Sequence, residues 1–447
     1  MSDDRDYLVK HSIPQVINDL VTALVKDRPP HAVPYMTEWF TKKAVFERPK
    51  VPLTPLIKKV CIVGGGNAAQ AFANILPSHG VACNMWCGFG DEAERISAGI
   101  NSQGGMKVHW SDGSVTLGKP DKISKDPGEV VPECNVLIMP LPSFAYPSVL
   151  TDLKPHLKPG MYIGITPGQG GFDWVARTVL GEELMKSVIF FAIMPMPLNC
   201  RITDFGKQVH VQVLKKKYRV GALPAAKTQE CCDITASLFQ AETTALPHLL
   251  TATMYPINAI IHPQRVFRIC QPWRPGNYLP ENPLFYEAMD EGSAGLMDAV
   301  NTELQMIAEK IKELSGVDLE IPHIKDFLGW VYEDDKPDLT STKTFFATCS
   351  AYKGFRSPLK QVEGKGWVPD FENRYFTEDI PLGLCIYKGI ADIVGEKTPA
   401  MDMVMYWAQA GMGKEYIVNG KLTGKDVASS NAPQRFGVTT LDQLLGK

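Results

Sequence analysis

The feature that most constrains this chain is a short apolar strand running straight into a glycine turn and then a helix. Residues 58–69 read Lys-Lys-Val-Cys-Ile-Val-Gly-Gly-Gly-Asn-Ala-Ala. Val60 to Val63 is a continuous apolar run, the pattern of a strand buried on both faces. Gly64-x-Gly66-x-x-Ala69 follows and opens a helix through Ala71, Phe72, Ile75 and Leu76. Each small residue serves a separate need. Gly64 makes the tight turn, Gly66 lets backbone approach a pyrophosphate, and Ala69 lets the helix pack on its strand. The helix start offers unpaired N–H groups and a positive dipole end to phosphates. Gly64, Gly65, Gly66, Asn67, Ala68 and Ala69 are therefore the expected cofactor-binding residues.

Further strands are expected at Val81 to Trp86, Val136 to Met139 and Met161 to Thr166, the last two ending in Pro140-Leu141-Pro142-Ser143 and Pro167-Gly168-Gln169-Gly170-Gly171. Alternation of such strands with helices predicts a doubly wound parallel sheet, the Rossmann α/β arrangement. The acid that holds the ribose hydroxyls of NAD stands about 20 residues beyond the turn. Trp86 and Cys87 occupy that place, and Asp91 is the nearest acid. No basic cluster beside Arg95 suggests a 2′-phosphate site, so NAD is favoured over NADP.

A chain of 447 residues has room for about three domains. The first break falls at residues 47–57, where Pro49, Pro52 and Pro55 prevent a helix and predict an extended linker. Before it, Ile13, Val16, Ile17, Leu20, Val21, Leu24 and Val25 share one helical face, with Ser12 as N-cap and Pro14 in the first turn. Asp27-Arg28-Pro29-Pro30 ends that helix, and Val33, Met36, Trp39 and Phe40 form a second stripe. Two such stripes cannot both be buried within 40 residues, so either two copies pair as a four-helix bundle or the hairpin packs on its own enzyme body. From residue 249 the pattern is helical: Leu296, Val300, Leu304, Ile307, Ile311 and Leu314 keep a helical period, and Met401 to Gln409 is another helix. The expected parts are thus a helical hairpin at 1–46, the linker at 47–57, a nucleotide-binding domain at 58–248 and an all-helical domain at 249–447.

Composition excludes other classes. Lys+Arg 46 against Asp+Glu 49 leaves no basic excess for nucleic acid or an anionic membrane. The apolar runs are far shorter than the ~20 residues that span a bilayer. The acidic start MSDDRDYLVK is not a secretory signal, and ten scattered cysteines without a CxxC pair read as reduced thiols, so a cytoplasmic location is expected. None of the nine histidines has metal-ligand spacing, and no metal is expected.

Polar residues that packing does not require lie in the helical half. His262 follows an apolar helical run, and Arg374-Tyr375-Phe376-Thr377-Glu378-Asp379-Ile380-Pro381 starts another helix. A His at one helix end and an Asp at another helix start can meet across a cleft, and the carboxylate would fix the imidazole tautomer. By themselves these residues also read as a structural histidine, a local salt bridge or a helix cap.

The ordered set Gly64 to Ala69, Asp91-Glu92-Ala93-Glu94-Arg95, Ile261-His262-Pro263, Asn282-Pro283-Leu284-Phe285-Tyr286, Arg374 to Pro381 and Gly413-Lys414-Glu415-Tyr416 resembles the opine (octopine/nopaline) dehydrogenases from residue 58 to 445. The resemblance implies NAD(P)H-dependent reductive condensation of an amino acid with a 2-oxo acid, commonly pyruvate. It implies His262 as catalytic group with Asp379 as its partner, and Arg374 and Gln169 as substrate-binding residues. Met196-Pro197-Leu198-Asn199-Cys200-Arg201 departs from the family, which tends to carry an aromatic residue before Ala-Cys-Arg; this leaves the amino acid open. Trp273 either walls the amino-acid pocket or is an ordinary packed aromatic. Residues 7–46 resemble the dimerization/docking domain of the type II regulatory subunit of cyclic-AMP-dependent protein kinase. That implies an antiparallel homodimer whose groove takes an amphipathic helix of an anchoring protein, tethering the enzyme at a cilium, flagellum or other site. Two alternatives stand beside the enzyme: a catalytically weak scaffold whose role is docking, and a dehydrogenase for a 2-hydroxy acid.

Overall fold

The computed structural model describes residues 13–37, 39 and 51–446. The chain divides into two compact units, Met1–Pro52 and Leu53–Lys447. In the first, a helix spans Ile13–Asp27, and residues 32–37 are helical again. Arg28 ends the first helix at a φ of 42°, before the two prolines, and the Tyr35 hydroxyl donates to Asp27 Oδ2 at 2.5 Å across the bend. Leu20 is buried, whereas Ile17, Val21 and Val25, one helical turn apart, are 51%, 50% and 65% exposed. Ser12, Phe40 and residues 41–50 lie outside the described residues.

The second unit is built on an eight-stranded sheet. Its strands are β1 (Val60–Val63), β2 (Cys83–Trp86), β5 (Lys122–Ser124), β6 (Val136–Met139), β7 (Tyr162–Ile165), β8 (Ile189–Met194), β11 (Lys217–Leu223) and β12 (Glu242–Ala245), in the order β12-β11-β8-β7-β6-β1-β2-β5. From β8 to β5 all neighbours are parallel, with Val60 opposite both Cys83 and Val136. β11 runs antiparallel to β8 and carries β12 parallel to itself, so the doubly wound sheet has an opposed pair on one side. Residues of β1 alternate between two cores. Val60 and Ile62 pack with the helices Asn67–Ser78 and Thr228–Phe239, while Cys61 and Val63 face the layer of Tyr146–Leu153 and Phe172–Leu180. Burial of both faces explains why the central strands read as unbroken apolar runs.

A second sheet, absent from the sequence expectation, lies over the first helix of the nucleotide fold. It comprises β3 (Met106–Trp110), β4 (Val115–Gly118), β9 (Leu198–Asp204) and β10 (Gln208–Leu214) in the order β4-β3-β10-β9. Asn74 ties it to that helix by donating to Met106 O at 2.6 Å. The later part of the proline-rich stretch docks on the body rather than standing off it: the Thr54 N–H donates to Ser237 Oγ at 2.9 Å.

From Leu249 onward the chain is mainly helical, with one two-stranded hairpin, Leu359–Val362 with Gly366–Pro369. Its longest helix, Glu291–Ser315, starts at an Asp290 cap that accepts from Ser293 N at 2.8 Å and stops at Gly316, φ 76°. Leu296, Val300, Leu304, Ile307 and Ile311 are buried along it, while Leu314 emerges into solvent. Among the described residues no helix is long and apolar enough to cross a membrane.

Candidate active site

In the parallel sheet the C-terminal strand ends gather along one edge, where the crevice of an open α/β fold lies. Gly64 follows β1 there at a φ of 106°, which disfavours any L side chain, and its N–H donates to Trp86 O at 2.7 Å. A Cβ at Gly64 would stand 2.8 Å from Leu141 Cδ2 in the loop after β6. Gly66 caps the helix Asn67–Ser78 in extended conformation, and a Cβ there would meet nothing within 4 Å. The space in front of that helix start is therefore open, as an approaching pyrophosphate requires, and Ala69 is fully buried against the strand. These residues fit a dinucleotide. Asn67 also holds the scaffold together, because its Oδ1 accepts from Ile202 N at 2.7 Å and fastens the second sheet to the helix start. Gln70 bridges the same elements, donating to Gly65 O at 2.8 Å and accepting from Gly206 N at 3.0 Å. Asp91 turns outward and pairs with Arg95 at 3.4 Å.

Across the crevice, His262 lies in the second turn of the helix Asn258–Cys270 rather than at its end, because Pro263 so near the helix start removes only one ladder bond. Asp379 directly precedes a widened π turn, Ile380–Leu384, that leads into the helix Cys385–Val394. The two residues are 117 positions apart and meet: His262 Nδ1 lies 2.7 Å from Asp379 Oδ2, both side chains being almost fully buried. The carboxylate accepts from Nδ1–H and would stabilise the imidazolium when Nε2 takes a proton.

Nε2 is engaged as well. The Tyr286 hydroxyl lies 2.9 Å away and donates to it, and the Tyr375 ring stacks on the imidazole at 3.7 Å with planes 13° apart. Burial holds the Tyr286 phenol well above its ordinary range, so it stays a donor at neutral pH. Sequence reasoning assigns neither tyrosine a role, although both stand inside the motifs that flank the histidine and the aspartate. A tyrosine in an apolar run carries no pattern that separates a packed ring from a ring on a histidine.

A cavity between the sheet edge and the helices is lined by Ser143, Gln169 and Gly170 on one side and by Ala259, Glu378 and Asp379 on the other. Gln169 and Asp379 thus share one space. Arg374 belongs to the short helix Arg374–Thr377 that precedes Asp379, and its Nε donates to Glu378 Oε2 at 2.7 Å. The guanidinium side chain is 72% exposed, whereas burial pushes the Glu378 carboxyl up. Its fork is therefore held by a carboxylate of its own chain at the rim of the cavity. Trp273 packs edge-on to Phe371 at 6.1 Å and is not among the residues lining that cavity. In the divergent segment, Leu198 is buried, and the buried Lys215 Nζ donates to Met196 O at 2.7 Å and to Asn199 Oδ1 at 3.4 Å. Burial pushes the Cys200 thiol up to about 12, so it is no nucleophile.

Residues 245–412 match the family model described as NAD/NADP octopine/nopaline dehydrogenase, alpha-helical domain. The tauropine dehydrogenase of Arabella iricolor is 35% identical over 396 residues, covering 86% of this chain and 99% of that protein. A solved octopine dehydrogenase with NADH and L-arginine superposes with a TM-score of 0.79 at 33% identity, over 87% of this chain and 98% of that one. The same holds for octopine dehydrogenase with NADH and pyruvate, at a TM-score of 0.77 and 32% identity, with coverage of 87% and 98%.

Proposed function

Because this chain belongs to the octopine/nopaline dehydrogenase family of NAD(P)-dependent oxidoreductases acting on CH–NH groups, we propose that it condenses an L-amino acid with a 2-oxo acid, pyruvate, and reduces the product with NADH. In this reading residues 58–248 hold the dinucleotide and residues 249–447 complete the substrate cleft. The observation that carries it is the buried His262–Asp379 pair at 2.7 Å, whose carboxylate shares a cavity with Gln169 beyond β7.

The amine adds to the oxo-acid carbonyl, water leaves, and the resulting imine accepts a hydride at carbon and a proton at nitrogen. The dinucleotide, when bound, supplies that hydride. His262 Nε2 takes the proton that the amine loses on adding and returns it to the carbonyl oxygen as the carbinolamine forms, and Asp379 stabilises the charge that the ring carries in between. For Nε2 to reach substrate, the Tyr286 hydroxyl yields its place or passes the proton on. Arg374 offers a fork of donors to the oxo-acid carboxylate, in exchange for Glu378. Gln169 donates to the same substrate from the sheet side. With both partners fixed, the protein's main contribution is orientation.

The test is NADH oxidation with pyruvate across a panel of amino acids, with the product identified by mass spectrometry. The expected result is amine-dependent turnover that yields a secondary amine dicarboxylate. Turnover with pyruvate alone would make the chain a hydroxy-acid dehydrogenase, and NADH binding without turnover on any amine would make it a scaffold.

We further propose that residues 7–46 pair with a second copy and dock an amphipathic helix of an anchoring protein, tethering the enzyme. Support comes from the Ile17, Val21 and Val25 stripe, which a single copy leaves half exposed or more. Ile17→Asp is expected to convert dimers to monomers in light scattering without lowering kcat; a dimer that survives the change contradicts the proposal.

A further inference from the structure

β2 ends without an acid, and the two positions where a ribose-binding carboxylate is usual serve packing instead. Trp86 is buried with its Nε1 donating to Lys125 O at 3.0 Å, and Cys87 is fully buried. The chain then passes through Gly88, Phe89 and Gly90 into the helix Glu92–Gln103. Here two adjacent acids part. Asp91, at the cap of that helix, has a side chain 72% exposed and faces Arg95. Glu92 turns the other way, onto the glycine turn, where its carboxylate packs against Gly65.

The fit is close. A Cβ built on Gly65 would overlap Glu92, lying 2.8 Å from its Cδ and 3.1 Å from its Cβ. Gly65 stands between the turn glycine and the helix cap, so one flank of this segment is the pyrophosphate cradle. The other flank, toward the end of β2, is where a doubly wound fold seats the adenosine ribose. Burial raises the Glu92 acid somewhat above its ordinary range, as expected of a carboxylate held against protein rather than water. The nearby cations each have another partner, although the charge of Arg95 also reaches Glu92. Arg95 pairs with Asp91 and lies over the Phe205 ring at 4.1 Å, and Lys125 Nζ donates to Gly90 O at 2.7 Å.

We propose that Glu92 is the residue that selects the dinucleotide, its carboxylate accepting the 2′ and 3′ hydroxyls of the adenosine ribose and repelling a 2′-phosphate. The chain therefore prefers NADH to NADPH, although the sequence distance that usually locates the ribose acid points to Trp86 and Cys87. A 2′-phosphate would set a second anion against the Glu92 carboxylate where it packs on Gly65, while Arg95 pairs with Asp91 and Lys125 with Gly90 O. This rests on the reading of the glycine turn as a dinucleotide site.

The test is calorimetric titration of NADH and of NADPH into the ligand-free full chain, without substrate or turnover. The native chain binds NADH more tightly. Glu92→Gln weakens NADH by ~10–100-fold, the range for hydrogen bonds to a charged group, and leaves NADPH unchanged or tighter. Glu92→Asp keeps the charge on a shorter arm and falls between. Glu94→Gln, two residues on and exposed, leaves both affinities as they are. Equal affinity of the native chain for the two dinucleotides, or an unchanged NADH/NADPH ratio in folded Glu92→Gln, overturns the assignment. Failure of the native chain to bind either one overturns instead the dinucleotide reading on which it rests.

Discussion

His262→Asn is expected to lower kcat by ~10²–10⁴-fold, the usual worth of a positioned acid–base group, while NADH still binds. The expectation follows from where the ring sits. It is clamped at Nδ1 by Asp379 at 2.7 Å and stacked on Tyr375, so rotation and tautomer are both fixed. Asparagine preserves a donor near Asp379 but cannot carry a proton between water and substrate. Asp379 would also be left buried without the imidazole N–H that it accepts. Asp379→Asn is therefore expected to act in the same direction, because the neutral amide favours the other tautomer and no longer stabilises imidazolium. The check is steady-state kinetics with saturating NADH, together with NADH titration of each variant. A His262→Asn enzyme with near-native kcat would remove the imidazole from the chemistry.

Arg374→Met is expected to raise KM for the oxo acid by ~10–100-fold, the range for losing charge-assisted hydrogen bonds to a carboxylate. KM for the amine should change much less. Methionine keeps the length and the apolar stem, so the loss isolates the guanidinium. Arg374→Lys is expected to recover little, since an ammonium cannot offer two parallel donors. The neighbouring Glu378 sharpens the test. In the free chain it takes the Arg374 fork at 2.7 Å, so substrate binding is an exchange of one carboxylate for another. Initial rates over a matrix of both substrates separate the two KM values. Equal increases in both would make Arg374 a structural member of its rim helix.

The parts of the fold that could be read in the sequence are those where one physical demand fixes residue type. A strand buried on both faces must be apolar throughout, so β1, β6 and β7 announce themselves, and the glycine turn that follows β1 admits few substitutes. The second sheet could not be read this way. β4 and β9 are half solvated, and their residues satisfy no single period strongly. The opposed strand β11 pairs with β8 through contacts between Arg219–Leu223 and Phe190–Met194. Such a pairing depends on the return path of the chain, which local pattern does not record.

The site shows the same division. That His262 and Asp379 could meet was open to sequence reasoning, although His262 sits in the second turn of its helix and not at a helix end. Their common neighbours Tyr286 and Tyr375 were not, since an aromatic ring in an apolar run is ordinary core until its hydroxyl or face is seen against the imidazole. Glu92 escapes sequence reasoning for a different reason. Counting residues from the turn assumes a strand of ordinary length followed at once by the acid, whereas this chain inserts a Gly-Phe-Gly loop and delivers its carboxylate from the next helix.

In the proposed reaction the imidazole of His262 and the dinucleotide bound at the glycine turn address one substrate from opposite walls of the crevice. A crystal structure of the full chain with NADH and the oxo acid tests it most directly. The expected complex has the oxo-acid carbonyl within ~3–3.5 Å of both the His262 ring nitrogen and the nicotinamide C4, the separation of a reactive arrangement, with its carboxylate on Arg374. A complex in which the oxo acid binds away from positions 262, 374 and 379, with Tyr286 still closing Nε2, would contradict it.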